Sequence, residues 1–209
     1  MSHINSLIDE QNFELIRDRI GEILSDELNY QADYVKECDV AVWRERDVPF
    51  SQGEPPAVNV SLFEGDPELQ TLIKQDWDYK FYIDHTRQGK GTDDKLGDER
   101  AMVACQRVMG IIRSIMMNPK YITLGFEPGF IKHRRIGKIE FGKPVRQDTS
   151  HTVLGRLTFC VKCIETTPLV TPRVAASFLT SVRLGLTDKG YLWANYGGNV
   201  FNYVLNFNL

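Results

Sequence analysis

Trp77, Tyr79, Phe81, Ile83 and His85 alternate with Asp76, Asp78, Lys80, Tyr82, Asp84 and Thr86. A period of two puts successive side chains on opposite faces of an extended chain. The segment therefore folds as a strand with one apolar face in a core and one charged face toward solvent or another subunit. Such a strand needs neighbours to pair with and an apolar layer to cover it.

Two helical patterns supply the layer. Phe13, Ile16, Ile20, Ile23, Leu24 and Leu28 recur at steps of three and four, with Arg17, Asp18, Arg19, Glu22, Asp26 and Glu27 between them. This is an amphipathic helix capped by Asp9 or Asn12. Gly21 within it costs about 1 kcal/mol relative to alanine and suits a close approach to another backbone. A second helix runs from Asp98, its cap, through Ala101, Cys105, Val108, Ile111, Ile112, Ile115 and Met116 to Met117, and Asn118-Pro119 ends it.

Further strands are expected at Val35–Glu45, Ala57–Phe63, Ile131–Phe141 with Gly137 as a bulge, and Thr152–Thr166. Arg46–Pro56 reads as a proline-rich loop or arm, Gly65-Asp66-Pro67 and Pro144–Ser150 as turns, and Arg87–Gly97 as a polar loop. The fold class that follows is α+β: a mixed or antiparallel sheet packed by two amphipathic helices, with a β-rich C-terminal extension. The division expected is residues 1–170 as core and 171–209 as extension. The extension holds seven aromatics after Arg173, among them Trp193, Tyr196 and Tyr203, beside many asparagines and few charges. Asp188-Lys189-Gly190 and Gly197-Gly198-Asn199 read as its hairpin turns.

A chain of 209 residues, 42% hydrophobic and 25% charged, can fold on a core of its own. No run approaches the roughly 18 apolar residues of a membrane span, and no secretory signal opens the chain. A net charge of -3 argues against non-specific binding of nucleic acid by the chain as a whole. Cys160 and Cys163 form a C-x-x-C. On a strand, however, they point to opposite faces and cannot share a metal. All four cysteines (Cys38, Cys105, Cys160, Cys163) read as buried structural thiols, and the protein as one that folds in a reducing cytoplasm.

No spacing in the chain matches a reaction. Gly89-Lys90-Gly91-Thr92 lacks the upstream glycine of a phosphate loop and has its lysine before the glycine. His85, His133 and His151 lie on three separate segments. The expectation is therefore a protein without catalytic residues, cofactor or metal.

What remains are surfaces. Lys132, His133, Arg134 and Arg135, with Lys138 nearby, make the strongest basic cluster. On a regular strand Lys132 and Arg134 share one face, and His133 and Arg135 the other. Asp76, Asp78 and Asp84 are the natural acidic complement. The aromatic, amide-rich tail has the composition of a buried interface, with Trp193, Tyr196 and Tyr203 as its anchors.

The order of these elements resembles the tail terminator, or tail-completion, proteins of long-tailed bacteriophages. The features that match cover residues 6–166. They are the first helix, a strand ending in Trp43-Arg44-Glu45-Arg46, a proline-containing loop and Pro56-Ala57-Val58-Asn59-Val60. The strand Trp77–Thr86, a loop, the second helix, Tyr121-Ile122-Thr123-Leu124-Gly125 and the paired Ile131–Phe141 and Thr152–Ile164 follow. The resemblance implies a homohexameric ring in the virion neck, assembled in the host cytoplasm. Such a ring caps the tail tube, stops its polymerisation and joins the tail to a neck or head-tail joining protein, with DNA passing through its lumen. A sheath is a further partner in contractile tails. The acidic Asp76–Thr86 face and the basic Lys132–Lys138 strand would then meet between copies, Asp84 opposite Arg134. Two other readings are a different neck, head-completion or tube-initiating protein, and a nucleic-acid-binding α+β module using Lys132, Arg134 and Arg135.

Overall fold

The first helix, α1 (Asn12–Ala32), buries Ile16, Ile20, Ile23, Leu24 and Leu28 along one stripe. Glu14 reaches back to the backbone N–H of Gln11 at 2.7 Å and so caps its start. The computed structural model describes residues 10–46, 55–70, 74–90, 97–147, 150–166, 183–186, 192–196 and 199–202. They form two units, one up to residue 166 and one holding the strands after 182.

After α1 come a single 3-10 turn (Lys36–Cys38), β1 (Ala41–Arg44), β2 (Ala57–Gln70) and β3 (Lys74–Lys90). The helix α2 (Gly97–Met117) and a second 3-10 turn (Pro119–Tyr121) lead into β4 (Ile131–Phe141), β5 (Val145–Gln147) and β6 (Ser150–Thr166). Five strands lie side by side in the order β1-β2-β3-β6-β4, and β5 pairs with the start of β6. The pair β1/β2 is parallel and the others are antiparallel, so the sheet is mixed. The fold is α+β, as the sequence patterns predict. In the second unit β7 (Arg183–Leu186), β8 (Leu192–Tyr196) and β9 (Asn199–Asn202) pair antiparallel in chain order.

Both helices cover the same face of the sheet. Tyr79, Phe81 and Ile83 on β3, Val58 and Val60 on β2, and Leu157, Phe159, Val161 and Cys163 on β6 meet Ile112, Met116 and Leu24 in one core. Burying one such side chain contributes about 1.5–3 kcal/mol.

Several expected boundaries move. Val35–Glu45 is not one strand: the 3-10 turn occupies Lys36–Cys38 and only Ala41–Arg44 pairs. Gly65-Asp66-Pro67 is not a turn, because β2 runs through it. Gly65 lies against the Tyr79 ring, 2.6 Å from where a Cβ would stand, and a register shift follows Pro67. β3 likewise runs on to Lys90, and Val145–Gln147 is a strand inside the expected turn. The start of α1 is capped from Gln11 and Glu14, while Asn12 instead donates its side-chain amide to the Ile164 carbonyl at 3.3 Å. Asp9 lies outside the described residues. Gly21 faces the side chain of Arg44, 2.6 Å from a built Cβ, and not another backbone.

Candidate interaction surface

The sheet face turned away from the helices carries the even-numbered residues of β3 and β6. Registers place Asp84 beside Arg156, Tyr82 beside Thr158, Lys80 beside Cys160 and Asp78 beside Lys162. β4 adds His133 opposite Lys162, Arg135 opposite Cys160, Lys138 opposite Thr158 and Glu140 opposite Arg156. These charges pair with one another. Arg156 donates to both oxygens of Asp84 at 2.7 and 2.6 Å, and its guanidinium lies 4.0 Å from the Tyr82 ring centroid. Lys132 meets Asp76 at 2.5 Å, Arg135 approaches Asp78 at 3.5 Å, and Lys138 meets Glu140 at 2.9 Å. Lys80 binds Glu64 and lies 3.5 Å from Asp66, and Lys162 binds Glu68. Phe63 stacks on Tyr82 at 4.3 Å and remains 52% exposed.

Ionisation follows the pairing. The bond to Asp84 holds the Arg156 guanidinium above its ordinary range, and the bond to Glu64 does the same for the Lys80 ammonium. The face is thus a lattice of matched charges, with Phe63 and Trp43 as its exposed aromatics.

Within one chain the charges expected to meet between copies already have partners. Asp76, Asp78, Lys132 and Arg135 lie in one sheet of one chain, across β6, and satisfy each other there. Asp84 and Arg134 do not face one another at all. The cause is a bulge: the register slips between Ile131 and His133, which puts Lys132, His133 and Arg135 on the open face and leaves Arg134 alone on the helix side. There its guanidinium donates to the carbonyl of Met116, and at 2.8 Å to that of Asn118, at the end of α2. Burial lowers its pKa. Arg134 thus satisfies carbonyls at the C-terminal end of α2. A second slip, between Ile136 and Lys138, places the expected bulge at Gly137.

Trp193 and Tyr196 lie on β8 in the separate three-stranded unit, Trp193 opposite Gly185 and Asn202, Tyr196 opposite Asn199. Tyr203, the 47–54 part of the proline-rich arm and the 91–96 part of the polar loop lie outside the described residues. Gly89 is a strand residue, not part of a phosphate cradle: a Cβ there would stand 2.2 Å from the Gly97 carbonyl oxygen. The histidines do not converge. His85 is in the core, where its Nδ1 donates to the Ala57 carbonyl at 3.0 Å, and His133 and His151 sit on β4 and β6. All four cysteines are free and buried. Burial pushes Cys105 up to about 11 and Cys163 up to about 12, so these thiols stay protonated and inert. Among the described residues no group of His, Cys, Asp and Glu could hold a metal ion.

The structure adds a feature the sequence reading missed. A cleft of about 480 Å³ lies between the end of β3 and the first half of α2, lined by Arg87, Arg100, Val103 and Arg107 with Glu37 and Glu99. Arg87 donates to the Glu37 carbonyl at 3.4 Å. The spacing of Arg100 and Arg107, two turns apart on the face opposite the apolar stripe, carried the signal. No protein-family model matches the chain, and no curated protein is significantly similar to it.

Proposed function

We propose that the chain is a structural subunit of a homohexameric ring of the tail-terminator kind, which closes the end of a phage tail tube and offers a platform for the neck. The observation that supports this reading is architectural. Two helices cover one face of a mixed five-stranded sheet, in the chain order expected of that family. Among the described residues of this unit nothing covers the opposite face, and β4, eleven residues long, pairs on one side alone. A protein that works by assembly needs such faces and edges more than it needs a pocket.

The partners are then further copies of the chain, the last ring of the tube and a neck protein, with DNA as passing cargo and the virion neck as the location. No helix among the described residues is long and apolar enough to cross a membrane.

Electron microscopy of the purified protein mixed with tail tubes tests the reading. A terminator appears as a six-fold ring at one end of each tube and stops its growth. Tubes that start growing from the added protein would make it an initiator, and unchanged tubes would remove the assignment.

A further inference from the structure

The helix layer is divided by charge. On α1 the stripe turned away from the sheet holds Glu22, Asp26 and Tyr30 and continues to Asp33, which follows the helix's last residue; all four are exposed. Glu22 is matched by Arg19 at 2.9 Å, but Asp26 and Asp33 form no ion pair among the described residues. Tyr30 is 57% exposed, and its hydroxyl lies 3.3 Å from that of Tyr34, itself 71% exposed. On α2 the corresponding stripe holds Arg100, Val103, Arg107 and Gly110. Arg100 and Arg107 are exposed and form no ion pair among the described residues. Val103 between them is 59% exposed, and nothing lies within 4 Å of a Cβ built at Gly110.

The two stripes match in spacing as well as in sign. Asp26 and Asp33 are seven residues apart, and so are Arg100 and Arg107. At 1.5 Å per residue both pairs span roughly 10 Å. Laid antiparallel, Asp33 meets Arg100, Asp26 meets Arg107, and Tyr30 falls opposite Val103. Arginine beside tyrosine and carboxylate is a pairing common in protein interfaces, and the open surroundings of Gly110 admit a closely approaching helix.

We propose that the acidic, tyrosine-bearing stripe of α1 docks on the arginine stripe of α2 in a second copy of this chain. The two patches differ, so the contact is heterologous, as a ring requires. The proposal rests on the reading of the chain as a ring subunit and assigns that ring its contact, in place of the sheet-face charges that are satisfied within one chain.

Charge exchange in the full-length chain tests it. One variant carries Asp26→Lys with Asp33→Lys, the other Arg100→Glu with Arg107→Glu. All four side chains are exposed, so circular dichroism should report unchanged folds. Light scattering after size exclusion should show the wild type assembled, with each variant's dissociation constant raised roughly 30-fold or more. Mixing the two variants should restore assembly, because each then supplies the charge the other lacks. A wild-type ring that neither variant disturbs overturns this contact and leaves the ring reading standing. Assembly that obeys the exchange but stops at two copies supports the contact and overturns the ring. A wild-type chain that stays single even with tail tubes present overturns both. Variants that remain apart on mixing overturn the proposed pairing.

Discussion

At the residue scale the most sensitive group is His85. Its Nδ1 serves the Ala57 carbonyl, while Nε2 is buried with no partner among the described residues. Burial lowers its pKa from the ordinary 6.5 to about 4. The unfolded chain therefore takes up a proton near pH 6.5, whereas the folded chain resists until about pH 4. Stability is full above 6.5 and is lost as the pH falls through that window, by on the order of 3 kcal/mol. Denaturation midpoints measured from pH 7 to pH 4 should fall along this limb, and His85→Asn should flatten it. A midpoint independent of pH in the wild type would contradict the burial of a neutral ring. Arg134 and Arg135 give a second contrast. Arg134→Ala removes two bonds to the end of α2 and should cost about 1–3 kcal/mol. Arg135→Ala loosens an exposed pair and should cost under about 1 kcal/mol. Equal losses in thermal melts would mean that Arg134 is not the cap. Sequence alternation alone could not separate these neighbours, because a single extra residue at Lys132 reverses the face of everything after it.

At the scale of elements, β4 shows how an edge is kept from pairing at random. It carries register slips at both Ile131/His133 and Ile136/Lys138, and Lys132, Arg135 and Lys138 stand on its open face. Bulges and cations are the usual means of blunting an exposed strand. Replacing Arg135 and Lys138 together by valine should leave the melt nearly unchanged but raise light scattering on standing, and a clear, unaggregated solution would argue that the edge is already covered. The close contact of β3 with the start of α2 yields another prediction. Gly89→Ala sets a methyl against the Gly97 backbone and should cost about 1–3 kcal/mol in a denaturant titration. No loss there would mean that the two elements are less closely apposed. These elements were unevenly legible in the sequence. The helices, β4 and the alternating middle of β3 follow from periodicity, because each has one face in a core. The extension of β2 through Gly65-Asp66-Pro67 was not legible, since its turn-like residues are tolerated by a register shift and by the Tyr79 ring that fills the space over Gly65. The start of the four-residue β1 was not legible, because Val35 and Val40, on either side of the 3-10 turn, also pack into the core and extend its apolar pattern.

At the scale of the whole molecule, the proposed function is assembly. The complementary charges are legible in the sequence, but their destination is not. Asp76, Asp78, Lys132 and Arg135 read in sequence as complementary patches, and the strand order, with β6 between β3 and β4, brings them together within one sheet. Strand order depends on long-range packing that no local pattern encodes. Among the described residues the helices also carry charges with no ion pair, Asp26, Asp33, Arg100 and Arg107 among them, and helical periodicity marks the buried stripes more strongly than these exposed ones. Whether the chain works as a ring is decided by its assembled mass, measured by light scattering for the protein alone and with tail tubes present. The expected result is a closed species of about six times the 24.0 kDa chain. A chain that stays at its own mass in both conditions contradicts it.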